Sequence, residues 1–253
     1  MTCAIVFVAC GAYIADYYMK SNTAQSSLEN IAGSSSDLAE LYEENRDLVG
    51  WIKVDGTAID YPVMQSTEEP QRYLRKGFDR EYSLAGTPFL AAESTIGSED
   101  VGGASSSLNW LIYGHNMKSG TMFHDLLKYE DREFCEKHPT FTFSHIVRNR
   151  AGYPKRDASG NVQFTEPEEY VIVACAYSQI YDKKDTCFKY YNYGLITSPE
   201  QLREYLDGVS QIAEYEIKPL QSADGRFVTL STCAYHVEDG RFFIVGMRSR
   251  ETL

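Results

Sequence analysis

The residues best suited to chemistry in this 253-residue chain are a cysteine and an arginine near its C-terminus. The run from Phe227 to Leu230 alternates and is apolar enough to predict a strand, and Cys233 follows at its end. Gly240 predicts a turn, after which Arg241 begins a second strand. The thiolate form of cysteine is a nucleophile, and a nearby cation or base makes it accessible. The spacing therefore predicts a reactive thiol beside a guanidinium.

A partner base for this cysteine is available at His115. Trp110 to Tyr113 predicts a buried strand, and Gly114 lets the chain turn so that His115 leaves the strand end. An imidazole titrates near neutral pH and can exchange protons, while a guanidinium can stabilise developing negative charge. These three groups together predict acyl transfer. The sequence leaves open whether the resting pair is thiol and imidazole or thiolate and imidazolium.

Three separated motifs, in this order along the chain, resemble the signature segments of class B sortases. They are Tyr113-Gly-His-Asn-Met-Lys118 with Gly120-Thr-Met-Phe123, then Thr229-Leu-Ser-Thr-Cys233, and finally Arg241. Upstream segments are similar to that family as well, namely Val49 to Lys53, Ile59 to Val63, Phe78-Asp79 and Tyr82-Ser83. The resemblance extends from about Leu41 to the C-terminus and so covers most of the chain.

The resemblance implies a mainly β protein with a sortase-like closed eight-stranded β-barrel. It also implies a helix N-terminal to the barrel and an extra helix before the cysteine-bearing strand. By resemblance, Cys233 attacks the scissile carbonyl and His115 is the general acid and base. Arg241 positions the substrate and stabilises the oxyanion. The alternatives are a buried structural thiol, a turn histidine satisfied by the backbone, and an arginine paired with Glu238 or Asp239.

Other residues are candidates for contact with the substrate. Tyr113 and Ser231 match positions that border the groove in class B sortases, and Thr232 is expected to shape the backbone at the cysteine. Tyrosines near the end of a long loop are predicted to wall the peptide groove: Tyr177, Tyr181 and Tyr190. Plain packing is the alternative for all these residues. Two departures from the family pattern concern substrate recognition. Class B sortases often have Asn at the position of Arg75, and they often have an acidic residue at the position of Ala234.

The resemblance also implies substrates. A sorting signal near the C-terminus of a secreted protein, NPxTN-like or LPxTG-like, is expected to be cleaved after its Thr to give a thioacyl-enzyme. An amine of a peptidoglycan peptide, a cross-bridge or the lipid-linked precursor then resolves this intermediate. Three alternatives remain open: a pilin-polymerising sortase whose acceptor is a pilin lysine, a plain cysteine peptidase, and a catalytically silent scaffold.

Composition excludes some classes of function. The chain is 43% hydrophobic, which suits a globular protein with a real core, and its formal net charge of -12 argues against a nucleic-acid binder. Cys233-Ala-Tyr-His236 has the spacing of half a zinc site, but no second Cys/His pair follows and Arg241 would oppose a cation. No cofactor or metal is therefore expected. A Cys175–Cys187 bridge is conceivable.

The first 36 residues predict a tether. Residues 3–15 are continuously apolar, yet shorter than the roughly 18 residues of a spanning helix. They fit the tail of a membrane anchor that begins upstream, the core of a signal peptide, or a segment lipid-modified at Cys10. We expect residues 1–20 to be the anchor or signal segment, 21–36 a linker, and 37–253 the catalytic domain. All three interpretations place the folded part outside the cytoplasm, and we expect a single-pass protein of the cell membrane with its catalytic domain outside the cytoplasm.

The remaining pattern predicts the elements that position these residues. A helix is predicted from Asp37 with Leu38, Leu41 and Leu48 on its apolar face. Further strands are predicted at Trp51 to Val54, Ile59 to Met64, Thr87 to Ala91, Thr140 to Arg148 and Tyr170 to Tyr177. Ala151 to Glu169 is predicted to be an exposed hairpin. A helix capped by Ser198 and Gln201 is predicted to reach about Glu214.

Overall fold

The structure, a computed structural model, describes residues 10–21, 23, 26, 28, 31, 37–98, 105–216 and 225–249. Nine strands are present in this part: β1 Leu48–Val54, β2 Asp60–Met64, β3 Phe89–Leu90, β4 Asn109–Tyr113, β5 Thr140–His145, β6 Glu168–Gln179, β7 Ala213–Glu216, β8 Phe227–Cys233 and β9 Gly240–Arg248. Its labelled helices are α1 Leu38–Glu44, α2 Arg132–Lys137 and α3 Pro199–Ile212. Short 3-10 helices cover Arg72–Leu74, Phe123–Glu130 and Tyr190–Asn192.

Eight of these strands form a closed barrel. Neighbouring strands follow the order β5-β1-β2-β3-β4-β8-β9-β6, and β5 also pairs with β6, which closes the sheet. The β2–β3 and β4–β8 pairs are parallel and the other barrel pairs are antiparallel. Closure leaves no edge strand exposed within the barrel. The predicted closed eight-stranded barrel is confirmed, and β7 adds a ninth strand that pairs with β6.

The barrel interior is filled by aromatic and aliphatic side chains because inward-facing residues alternate along each strand. Trp110 on β4 is fully buried, and its ring lies 5.8 Å from that of Phe143 on β5. Its indole N–H donates to the carbonyl of Thr95 at 3.0 Å, so the polar group of this large side chain is satisfied. Large buried residues of this kind fix the positions of the strand ends.

The expected extra helix is α3, which packs against the outside of the barrel. Ser198 caps it, with its hydroxyl accepting from the N–H of Gln201 at 3.3 Å. The Gln201 side chain returns to the N–H of Thr197 at 2.9 Å, one residue before the cap. Its buried residues follow helical spacing and join those of β6 and β9 in a second cluster: Leu202, Tyr205, Leu206 and Val209.

Several element boundaries and one predicted exposure differ from the sequence-based predictions. Leu48 lies in β1, because Asn45 adopts an extended backbone and ends α1 while its side-chain N–H donates to the Phe78 carbonyl at 2.6 Å. The helix predicted to reach Glu214 ends at Ile212, since the next residues pair with β6 as β7. The hairpin predicted to be exposed buries Val162 in the main core.

The N-terminal region packs onto the domain where it is described. Residues 10–21 are helical, and so are residues 23, 26, 28 and 31 of the predicted linker. Leu28 is buried in the main core and Ile31 packs against it, so these apolar side chains hold the segment against the domain instead of leaving an extended stalk. Residues 1–9 of the predicted anchor lie outside the described residues. No helix within the described part combines the length and apolar character needed to cross a bilayer.

Candidate active site

The ends of three barrel strands bring the predicted catalytic residues together. Strands β4 and β8 are parallel neighbours, with Tyr113 opposite Ser231 and the Gly114 N–H donating to the Ser231 carbonyl at 3.0 Å. The carboxyl ends of parallel strands meet at one edge, so the residues after Tyr113 and Ser231 are adjacent. In the antiparallel β8–β9 pair, Cys233 lies directly opposite Arg241. The topology thus gathers the thiol, imidazole and guanidinium on one rim of the barrel.

A cavity of about 590 Å³ opens at this rim and is lined by His115, Cys233 and Arg241. Three of the predicted substrate-binding residues also line it: Tyr113, Ser231 and Thr232. The remaining wall consists of Pro70, Gln71, Leu74, Phe89, Ala91, Ala92, Glu93, Gly114, Ile180, Tyr191 and Asp239. A cleft of this volume is large enough for a short peptide segment.

The imidazole of His115 is oriented by the backbone of a neighbouring segment. Its Nε2 lies 2.9 Å from the carbonyl oxygen of Leu74, and because a carbonyl only accepts, Nε2 carries the proton. Burial lowers the pKa of His115; the Leu74 bond opposes this, and the positive charges of Arg75 and Arg241 add to the lowering. The ring is therefore neutral at pH 7, with Nδ1 free to accept a proton.

Cys233 is half-buried and held through its backbone. Its carbonyl accepts from the side-chain N–H of Asn116 at 2.8 Å. The preceding residue, Thr232, donates its hydroxyl to the carbonyl of Gly114 at 2.8 Å. Both bonds join the cysteine-bearing strand to the segment that carries His115. Among the described residues no hydrogen bond engages the thiol itself, and Cys233 lines the cavity.

The guanidinium of Arg241 is fixed by backbone carbonyls. Its Nη1 donates to the carbonyl of Asp239 at 3.1 Å and to that of Gly240 at 2.9 Å. In the described part of the chain it forms no ion pair with Glu238 or Asp239, the partners that the alternative interpretation named. The other N–H groups of the guanidinium remain available to an acceptor in the cavity.

Behind the catalytic residues, the hydroxyl groups of Ser231 and Tyr190 form a buried hydrogen-bonded pair. Ser231 is fully buried, and its hydroxyl lies 2.7 Å from that of Tyr190, whose ring stacks on Phe243 with centroids 4.2 Å apart. Tyr190 thus supports the cavity wall from behind. Burial raises the pKa of Tyr113, so its hydroxyl stays protonated.

None of the three tyrosines predicted to wall the groove is among the described residues that line this cavity, and Tyr190 lies behind Ser231. Tyr177 donates to a carboxylate oxygen of Glu130 at 3.1 Å, and its ring lies 4.5 Å from that of His236. The backbone N–H of Tyr181 donates to the hydroxyl of Tyr191 at 3.0 Å, and Tyr191 is the tyrosine of this loop on the wall. Their role in substrate binding stays a prediction without support from the cavity.

Sequence reasoning missed several residues of the site. The Leu74 carbonyl orients His115, Asn116 connects the two catalytic segments, and Glu93 places a carboxylate on the wall. Asn116 had a usable signal, because a buried amide directly after a catalytic histidine is well placed to bond neighbouring backbone. A backbone carbonyl has no signal of its own in a sequence.

No family model matches the sequence. A curated sortase B of Listeria monocytogenes is 31% identical to the chain over 227 residues, which cover 88% of this chain and 79% of that relative. The chain belongs to the class B sortases. As a member of this family it is a sortase-type cysteine transpeptidase.

Solved structures agree with this assignment of the class B sortase fold. The Staphylococcus aureus sortase B–substrate complex has a TM-score of 0.63 and 21% identity, covering 97% of this chain and 100% of that one. A Streptococcus pyogenes class B sortase involved in pilus biogenesis has a TM-score of 0.61 and 26% identity, covering 85% of this chain and 98% of its own. Both share the barrel.

Proposed function

We propose that this sortase cleaves a C-terminal sorting signal of secreted proteins and joins the new carboxyl end, through a thioacyl-enzyme, to a peptidoglycan amine. The observation that carries the proposal is the single cavity lined by His115, Cys233 and Arg241. The sorting signal is NPxTN-like or LPxTG-like, and the existence of a substrate complex of S. aureus sortase B, which shares the fold, supports a substrate-binding role for this domain.

In the first step, the sulfur of Cys233 attacks the carbonyl carbon of the scissile peptide bond. A C–S bond forms as the C–N bond breaks, and the departing amine needs a proton. Nδ1 of His115 takes the thiol proton and delivers it to that amine, since Nε2 is held by Leu74. The free N–H groups of Arg241 donate to the carbonyl oxygen as it gains negative charge.

In the second step, an acceptor amine attacks the thioester carbonyl. The new C–N bond forms as the C–S bond breaks, and the sulfur leaves as a thiolate. His115 removes the extra proton from the amine and returns it to the sulfur, which restores the resting enzyme. The overall reaction transfers the acyl group from Cys233 to the amine, and water is the competing acceptor.

The same proposal includes a place in the cell. The apolar run of residues 3–15 supports a segment that tethers the catalytic domain to the outer face of the cell membrane. Cell fractionation of the full chain, with protease added to intact cells, tests this. Recovery of the domain in the cytoplasmic fraction would refute it.

The reaction is tested by incubating the full chain with sorting peptides and amines and weighing the products. We expect a peptide–amine conjugate at the expense of the free acid. Release of free acid alone at high amine concentration would make the protein a plain cysteine peptidase.

A pilin-polymerising activity is the second candidate, because a class B sortase of S. pyogenes that shares the fold is involved in pilus biogenesis. The product assay separates the two candidates when a pilin and a peptidoglycan peptide compete as acceptors. A conjugate formed only with the pilin lysine would favour the second.

A further inference from the structure

A buried serine lies one strand away from the catalytic arginine. In the antiparallel β6–β9 pair Ser178 is directly opposite Arg241, and in the β8–β9 pair Arg241 is directly opposite Cys233. Residues that face each other across a strand pair present their side chains on the same face, with Cβ atoms roughly 4.5–5.5 Å apart. Cys233, Arg241 and Ser178 therefore form a row across three neighbouring strands.

The residues next to this row show which face of the barrel it occupies. Ala176 and Phe243 are paired with each other, two positions from the row, and both belong to the second cluster, which includes buried residues of α3. Between them and the row, the rings of Tyr177 and Phe242 lie 4.9 Å apart and pack in the main core. Alternation along β6 thus directs the side chain of Ser178 outward, to the side of the catalytic residues.

The hydroxyl of Ser178 has no hydrogen-bond partner among the described residues, although the residue is only 4% exposed. The two other buried side-chain atoms in this condition within the described part belong to Ser83 and His145, and neither residue faces a catalytic residue across a strand pair. A buried hydroxyl without a partner is destabilising, so its presence in a native protein needs a reason. The position beside Arg241 supplies one.

The guanidinium of Arg241 is anchored on one side only. Its Nη1 donates to the carbonyls of Asp239 and Gly240, and the Asp239 carbonyl also accepts from the N–H of Ile180 at 3.0 Å. Ile180 follows Ser178 by two residues, so the end of β6 already holds the turn that holds the guanidinium. Nε and Nη2 carry the remaining N–H groups in the same plane, and these are the donors available to a second anchor and to the substrate.

We propose that Ser178 is a positioning residue for Arg241. Its hydroxyl oxygen accepts one guanidinium N–H while the others donate to the oxyanion of the tetrahedral intermediate. The inference rests on the proposed function, in which Arg241 stabilises that oxyanion. A neutral acceptor orients the guanidinium without compensating its charge, as a carboxylate would. Alignment matters because such stabilisation requires donors within about 3 Å of the oxyanion.

The test compares two small reagents that modify the same thiol. With p-nitrophenyl acetate the sulfur takes the acetyl group through a tetrahedral oxyanion, p-nitrophenolate leaves, and the thiol proton passes to His115. With iodoacetamide the sulfur displaces iodide directly, and no oxyanion forms. Both rates are measured by mass spectrometry on the peptide that contains Cys233, because Cys10 and Cys187 are exposed and react as well.

Ser178→Ala in the full chain is expected to slow acetylation of Cys233 about tenfold and to leave alkylation within about twofold. Its Tm should be unchanged or higher, because the variant removes a buried hydroxyl that has no partner at rest. Ser178→Thr keeps the hydroxyl and should acetylate within about threefold of the wild type. Ser83→Ala is the matched control: it removes another unpartnered buried hydroxyl, outside the catalytic cavity, and should leave both rates unchanged.

A second comparison tests whether Ser178 acts through Arg241. In an Arg241→Ala background, Ser178→Ala should cause no further loss of acetylation. Unaltered acetylation in Ser178→Ala, equal slowing with both reagents, a lower Tm, or the same extra loss without Arg241 would each overturn the proposal. Neither reagent is a sorting peptide, so failure of every sorting peptide to acylate the enzyme would refute the proposed function while the ratio of the two rates still decides the role of Ser178.

Discussion

Replacing Asn116 with alanine removes the link between the two catalytic segments. The Asn116 side chain is buried, donates to the carbonyl of Cys233 at 2.8 Å, and accepts on Oδ1 from Nδ1 of His124 at 2.7 Å. Alanine cannot replace either bond, so a backbone carbonyl next to the nucleophile and an imidazole N–H lose their partners. Both the stability of the domain and the position of the thiol relative to His115 depend on these contacts.

The size of the effect follows from these two bonds. Each contributes roughly 1 kcal/mol net, and an abandoned buried partner costs about 1–3 kcal/mol, so we expect a loss of about 3 kcal/mol in the free energy of unfolding. For a domain of about 200 residues this corresponds to a fall of roughly 6–12 °C in Tm. Small displacements of reacting groups cost up to about 100-fold in rate, and we expect acylation to slow at least about tenfold.

The assay measures Tm by calorimetry and the rate of acyl-enzyme formation by rapid quench and intact mass. Asn149→Ala is the matched control, because its side chain also makes two hydrogen bonds, with Oδ1 accepting from the N–H groups of Ala151 at 3.0 Å and Tyr153 at 3.1 Å, in a hairpin away from the cavity. It should lower Tm while leaving the acylation rate within about twofold. Equal acylation rates in Asn116→Ala and the wild type would refute the reasoning.

Three further predictions concern the same rim. Burial holds the pKa of His115 below its ordinary 6.5, so the acidic limb of the pH profile of kcat/KM should lie below pH 6.5, and a limb above pH 6.5 would contradict this. By the same linkage, the stability that this histidine contributes is present above pH 6.5 and is lost as the pH falls through the folded-state pKa. Tyr190→Phe keeps the ring but leaves the Ser231 hydroxyl without its partner, which should cost about 1–2 kcal/mol in urea unfolding; an unchanged midpoint would argue against the bond. A Cβ added to Gly114 would lie 2.5 Å from Cγ of the buried Phe123, so Gly114→Ala should destabilise by about 1–3 kcal/mol, and an unaltered Tm would show that Phe123 moves freely.

The resemblance to class B sortases predicted the closed barrel, and the strand patterns and motifs predicted the positions of the three catalytic candidates. Apolar alternation marked the strands, and Cys233, His115 and Arg241 each follow or begin a strand, so that register alone brings them to one rim. The strand register is strongly specified, because a shift of one residue would turn every side chain of a strand to the opposite face of the sheet.

Loop geometry was beyond the sequence. Tyr177, Tyr181 and Tyr191 have the same side chain within one tyrosine-rich region, and only the path of the backbone decides that Tyr191 reaches the cavity. Similarly, residues 21–36 were predicted to be a linker, yet Leu28 is buried in the main core and Ile31 packs against it. Composition gives the average polarity of a segment, whereas packing against the core depends on individual apolar side chains.

The proposed reaction requires one sulfur, one imidazole and one guanidinium to act on a single peptide bond. Peptide mapping of the full chain, quenched during reaction with a sorting peptide, tests this requirement. We expect the acyl group on the fragment containing Cys233, no adduct in Cys233→Ala, and sharply reduced adduct in His115→Ala and Arg241→Ala. An adduct on the exposed Cys187, or undiminished acylation in Arg241→Ala, would contradict the account.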